Sequence, residues 1–151
     1  MRTVILTLGV AGSGKSTWAK QQVREHPEQY VRVNKDSLRY MLFGGVYTHD
    51  NEQLVECLRD EAILIALRNG FDPICDDTNI QPRHIEHIQA LVVDIASVQI
   101  QDFSSVPLNL CIERDALRPV PLEMQERVGE ETIRKQYIQL QQVILHEQES
   151  L

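Results

Sequence analysis

Apolar and polar positions alternate between two periods along this chain, and the switches between them mark out the elements. Thr3-Val4-Ile5-Leu6-Thr7-Leu8 is a short apolar, β-branched run that predicts a strand. Ser16 to Glu25 holds neither glycine nor proline and predicts a helix, closed by His26-Pro27. Tyr30-Val31-Arg32-Val33 predicts a second strand, Asn34 caps a short helix over Lys35 to Phe43, and Gly44-Gly45 stops it. A loop over Val46 to Asp50 then leads to Asn51 as the cap of a long helix, which ends at Asn69-Gly70 and buries Leu54, Leu58, Ala62, Ile65 and Ala66.

Pro73-Ile74-Cys75 predicts the third strand, running into Asp76-Asp77-Thr78-Asn79, and Pro82 opens a helix through about Val93. The fourth strand spans Ala96 to Phe103, apolar at Ala96, Val98 and Ile100. Pro107 starts a helix that reaches Arg118, Pro119-Val120-Pro121 breaks it, and a polar stretch from Leu122 to Val128 precedes a last helix over Glu130 to about His146, with Ile133, Tyr137, Leu140 and Ile144 on one face. Strands alternating with helices at this spacing predict a parallel α/β sheet. Ligands of such sheets bind at the carboxyl ends of the strands, where residues 9–17, 34–39 and 76–79 converge on one crevice.

The stretch after the first strand, Gly9-Val10-Ala11-Gly12-Ser13-Gly14-Lys15-Ser16-Thr17, fits G-x-x-x-x-G-K-[ST] at every fixed position. Backbone N–H groups must wrap a triphosphate closely, and glycines remove the side chains that would hold them off. Lys15 supplies a cation to the β and γ phosphates, Ser16 a hydroxyl to Mg²⁺, and the helix N-terminus its positive dipole end. This is a Walker A loop, with ATP and Mg²⁺ as its expected ligands.

Length and charge narrow the partners. The chain of 151 residues suits one domain over 1–151, with no room for a second. A net charge of -7 argues against a broad, sequence-independent grip on duplex nucleic acid, while leaving room for a local basic pocket. Cys57, Cys75 and Cys111 fit neither a disulfide framework nor zinc-ligand spacing, so a reducing cytoplasm is the expected compartment. The apolar start runs straight into the glycine loop and is not expected to be a removable leader, and no run of apolar residues is long enough to span a membrane.

Several polar residues fall where a phosphoryl transfer needs them. Asp36 and Arg39 share a face at the start of a helix. They read as a general base beside an anion clamp, or as a first-turn acid that complements the helix dipole. Asp76 and Asp77 end the third strand, where either can reach Mg²⁺ through a water, or where both merely form a polar strand end. Lys35, Thr78 and Asn79 lie in the two loops beside the glycine loop and are the expected acceptor contacts. Arg114 and Arg118 are one turn apart before the Pro-rich break, and read as lid arginines over the transferring phosphates or as a charge-paired surface. His84-Ile85-Glu86-His87 lacks zinc-helix spacing and reads as a polar helix face. Trp18 is expected to pack the first helix on the sheet, and Tyr47 to offer a ring to an acceptor base.

Taken together, Val4 to Ala19, Val33-Asn34-Lys35-Asp36-Ser37-Leu38-Arg39, Asp77-Thr78-Asn79 with Pro82, Arg114 with Arg118, and Val128-Gly129 to Tyr137 closely resemble the 5′-kinase domain of phage-type polynucleotide kinases. The resemblance covers nearly the whole chain. It implies a P-loop kinase fold with a four-stranded parallel sheet and a C-terminal helical lid near 108–128. It further implies transfer of the γ-phosphoryl group of ATP to the 5′-OH of single-stranded DNA or RNA, with Asp36 as base, Arg39 on the acceptor phosphate, and Arg114 and Arg118 on the donor. Leu122 to Arg127 departs from that pattern as an insertion. The residues alone also admit a small-molecule kinase, acting on a nucleoside, sugar or antibiotic, or a slow nucleotide-hydrolysing switch.

Overall fold

The computed structural model describes residues 1–119 and 127–150. Four parallel strands, β1 (Arg2–Leu8), β2 (Tyr30–Val33), β3 (Asp72–Cys75) and β4 (Ala96–Asp102), lie in the order β2-β3-β1-β4. Six described helices surround them: α1 (Lys15–Glu25), α2 (Lys35–Phe43), α3 (His49–Arg68), α4 (Pro82–Val92), α5 (Leu108–Ala116) and α6 (Glu130–Glu149). β1 pairs with β3 at Ile5–Ile74 and Leu6–Cys75 and with β4 from Arg2–Ala96 to Leu8–Asp102, so it needs apolar residues on both faces. Its alternation sends Val4, Leu6 and Leu8 into a core with Ile63, Ile85, Ile88, Cys111, Ile133 and Leu140. Ile5 goes the other way, to Ala19 and Ile74, with Trp18 and Tyr30 packed against them. Trp18 thus ties α1 to the sheet, its ring edge-on to Phe103 at 5.9 Å.

The expected caps hold at α2, where Asn34 Oδ1 accepts from Ser37 N at 2.8 Å and Gly44 ends the helix at φ 60. Two expectations for α3 fail. Thr48, not Asn51, is the N-cap, its Oγ1 accepting from Asn51 N at 3.1 Å, so the helix begins three residues earlier. Its buried face is also rotated: Glu52, Val55, Arg59, Ile63, Ala66 and Leu67 are buried, whereas Leu54 and Ile65 are exposed. Apolar spacing misses this face because it buries Glu52 and Arg59, whose charges meet Arg39 and Asp77 from outside the helix. The polar stretch Leu122 to Val128 and the inserted Leu122 to Arg127 lie outside the described residues up to residue 126. Among the described residues no helix is long and apolar enough to cross a membrane.

Candidate active site

The glycine loop is fixed from three sides. Gly12 (φ +81) lies so close to α5 that a Cβ there would stand 2.3 Å from Cys111 O, and Gly14 (φ +98) is the N-cap of α1. The loop's Ala11 N donates to Gln136 Oε1 from α6 at 2.9 Å, and Gly9 N donates to Thr78 O at 3.2 Å. Val10 and Ser13 are buried, while Thr17 is exposed at the first turn of α1. Lys15 is buried, its Nζ donating to Val10 O at 2.7 Å and Ser13 Oγ at 3.4 Å. Burial lowers its pKa to about 8, against the opposing pull of Asp76.

The end of β3 forms the floor. Arg32 Nε and Nη2 both reach Asp76 Oδ2 at 2.6 Å, leaving Asp76 Oδ1 buried with no hydrogen-bond partner. Asn34 Nδ2 donates to Asp76 O. Asp77 Oδ1 accepts from Lys35 N at 2.9 Å, which joins the floor to the start of α2, and Arg59 Nη1 stands 3.8 Å from its Oδ2. Burial raises the Asp77 carboxyl to about 6, opposed by the charge of Lys35. Asn79 takes a positive φ of 51 so that its amide can donate to Thr7 O at 2.7 Å. It is 3% exposed and stands outside the residues that line the cleft, so it shapes the loop from which Thr78 does face the cleft.

In the first turn of α2, Asp36 is presented to solvent with 73% of its side chain exposed. Arg39 Nη1 donates to its Oδ1 at 2.6 Å. The same guanidinium grips Glu52 of α3 through Nε at 2.9 Å and through Nη2 at 2.9 and 2.8 Å, and lies 5.5 Å from the centre of the Tyr47 ring. Lys35 Nζ adds contacts of 3.4 Å to Glu52 and 3.8 Å to Glu56. Asp36, Arg39 and Lys35 are therefore brought together, with Arg39 already held by two carboxylates.

Arg118 lines the same cleft, 3.4 Å from Asp115 Oδ1. Asp115 is buried and also accepts from Val128 N and Gly129 N, both at 2.9 Å. Arg127 Nε donates to Arg118 O at 2.9 Å. Arg114 is placed differently from Arg118: its Nη1 donates to Gly12 O at 3.4 Å, against the glycine loop rather than in the cleft lining. His84, from the first turn of α4, faces the cleft, and burial, then the charges of Lys35 and Arg83, lower its pKa to about 4.

These groups line a cleft of about 560 Å³ at the carboxyl ends of the strands. It holds Lys15, Ser16, Asp76, Asp77, Thr78, Lys35, Asp36, Arg39 and Arg118 together. Nearly half of the 15 Lys and Arg residues face it, in a chain of net charge -7. The sequence reading missed Arg32, Glu52, Glu56, Gln136 and Arg127 as cleft residues. The one available signal was charge at positions 52, 56 and 59, one turn apart on a helix. Asp76 Oδ1, buried without a partner beside Lys15, together with the Ser16 hydroxyl, suits a hydrated divalent cation. No group of three or more His, Cys, Asp or Glu among the described residues forms a metal cage.

Residues 4–143 match the family model described as AAA domain. The chain belongs to that family. This AAA-domain chain is 26% identical over 150 residues to a candidate bifunctional polynucleotide kinase/RNA ligase of Autographa californica nuclear polyhedrosis virus, covering 90% of this chain and 20% of the viral protein. A chain in the structure of the Pnkp1/Rnl/Hen1 RNA repair complex superposes with a TM-score of 0.85 at 25% identity, covering 96% of this chain and 46% of that one. The Mycobacterium tuberculosis APS kinase CysC, in complex with AMPPNP and APS, shares the fold with a TM-score of 0.62 at 19% identity, covering 77% of this chain and 69% of that one. The chain thus spans about a fifth to a half of the polynucleotide-processing relatives it matches. Its four-stranded parallel α/β architecture is that of P-loop kinases.

Proposed function

We propose that this chain is an ATP- and Mg²⁺-dependent polynucleotide kinase domain that phosphorylates the 5′-OH end of single-stranded DNA or RNA. The observation that carries this reading is the exposed Asp36 carboxylate, held by Arg39 in the same cleft as Lys15. Likeness to a polynucleotide kinase/RNA ligase and to the Pnkp1 complex supports it.

In this reading the glycine loop wraps the β-phosphate of ATP, and Lys15 exchanges its bond to Val10 O for phosphate oxygens. Ser16 and Asp76 would hold a Mg²⁺ ion, with Asp77 behind them, and the ion would supply positive charge to the phosphates. Asp36 accepts the proton of the 5′-OH as the O5′–Pγ bond forms and the bond from Pγ to the bridging oxygen breaks, releasing ADP. Arg118 takes the charge that builds on the γ-phosphoryl oxygens, and Arg114 steadies the loop through Gly12 O. Lys35, Arg39 and Thr78 meet the acceptor strand. Three free cysteines suit a reducing cytoplasmic setting.

The test is [γ-labelled] ATP with 5′-OH oligonucleotides of DNA and RNA, nucleosides and simple sugars. Label on the oligonucleotide 5′ end is the expected result. Label on a nucleoside or sugar alone would establish the small-molecule kinase, and ATP hydrolysis indifferent to every acceptor would establish the switch.

A further inference from the structure

A second groove, of about 430 Å³, continues from the cleft between the α2–α3 connection, α3 and the first turn of α4. It shares Tyr47, Glu52, Glu56, Arg83 and His84 with the cleft, so the two form one track past Arg39. Its size falls in the range of small-ligand sites.

The charges along this track are not equivalent. Glu52 and Glu56 are answered by Arg39 and Lys35, and Asp60 by Arg59 at 2.7 Å and by His87 at 2.7 Å. Arg83 is different. Its Nε donates to the neutral amide oxygen of Gln81 at 2.6 Å, and among the described residues no carboxylate answers its charge. That bond aims an exposed guanidinium whose charge stays available to an anion. Tyr47 is 67% exposed and has Arg39 against its ring, which leaves ring surface open to a second flat group.

We propose that this groove seats the second nucleotide of the acceptor strand, its base against Tyr47 and His84 and its 3′-phosphate on Arg83. The assignment rests on the polynucleotide reading of the cleft. It follows from continuity with the Asp36–Arg39 end and from a flat, exposed ring beside a cation. His84, with its pKa lowered to about 4, is a neutral ring near pH 7 and serves a base better than a phosphate.

The experiment compares kcat/KM for three 5′-OH acceptors: a nucleoside 3′-phosphate, a dinucleotide ending in 3′-OH, and the same dinucleotide ending in 3′-phosphate. Wild type should use the phosphorylated dinucleotide about tenfold better than the mononucleotide. Arg83→Ala should shrink that ratio to about threefold or less, and Tyr47→Ala should remove most of the gain given by the unphosphorylated dinucleotide. In equilibrium binding of a 5′-OH oligonucleotide, Arg83→Ala should flatten the plot of log K against log salt by about 0.7, one phosphate contact on a single strand. A wild type that uses mononucleotide and dinucleotide equally, an Arg83→Ala protein that keeps the full ratio, or an unchanged salt slope would overturn the assignment. Failure to phosphorylate any 5′-OH acceptor, mononucleotide included, would instead remove the polynucleotide reading and this groove's role with it.

Discussion

The two walls of the cleft are built by opposite means. On the donor side the glycine loop is packed between α5 and α6, with Lys15 buried, Gly12 against Cys111 O and Ala11 bonded to Gln136. On the acceptor side α2 has no buried residue at all, and Asp36 is held by an ion-pair chain that runs through Arg39 to Glu52. Close packing leaves one conformation, which suits a ligand whose phosphates are always the same. In the proposed reaction, an exposed, charge-held wall would suit acceptors of varied base and length. Changes to the packing of the donor side should therefore cost stability, and changes to the exposed acceptor side should cost rate.

The largest expected effect is on the acceptor wall. Asp36→Asn should lower kcat about 10²- to 10⁴-fold in the γ-labelled ATP assay, with the urea midpoint nearly unmoved, because the side chain is exposed and its pair with Arg39 is worth less than about 1 kcal/mol there. A fall in kcat below about tenfold would return Asp36 to the role of a first-turn acid. Gly12→Ala should do the reverse and destabilise the fold by about 3 kcal/mol in urea denaturation, since its Cβ would meet a backbone oxygen at 2.3 Å in a left-handed conformation. Unchanged stability would mean that α5 yields easily and that the donor wall is softer than its packing implies.

How far each wall could be read in advance follows the same division. The donor loop is local: strand, glycines, lysine and helix succeed one another within residues 3–25, so spacing alone places Lys15 and Ser16. Asn34 and Gly44 are equally local, as cap and stop of α2. Arg39 and Asp36 are neighbours on one turn and were legible as a pair, but Glu52, which holds Arg39, comes from another helix whose register was misplaced. Arg32 lies in β2 and Asp76 just past the end of β3, and the β2–β3 pairing brings them together. Asn79 looked like an acceptor contact because its loop faces the cleft, whereas its amide turns inward to Thr7 O. Apart from the one-turn spacing of charges at positions 52, 56 and 59, the long-range polar partners of this wall leave no periodic trace in the sequence.

Two smaller effects sharpen the contrast within the buried half of the site. Lys15→Met should raise the stability of the nucleotide-free protein by about 2 kcal/mol at pH 7 while abolishing phosphoryl transfer, because a lysine with its pKa lowered to about 8 carries its charge against burial. A destabilised Lys15→Met protein would mean that the Val10 bond outweighs desolvation. The smallest effect is in pH dependence. The folded protein keeps the Asp77 proton up to about pH 6, whereas the unfolded chain releases it near 3.8, so between those values the folded state binds more protons and Asp77's contribution falls as pH rises. Measured against Asp77→Asn, wild type should lose about 2 kcal/mol across that window and nothing further above it. A flat difference would show that Lys35 and Arg59 fully offset burial.

The hold of α5 on Gly12 reaches beyond stability. Cys111 O touches the loop on one side of that residue and Arg114 takes its carbonyl on the other, while the same segment of chain continues to Arg118. If the loop binds a nucleotide as proposed and α5 moves with it, thermodynamic reciprocity makes the coupling between the two equal in both directions. Whatever factor a bound triphosphate contributes to fixing α5, a ligand or substitution that fixes α5 must return to the triphosphate.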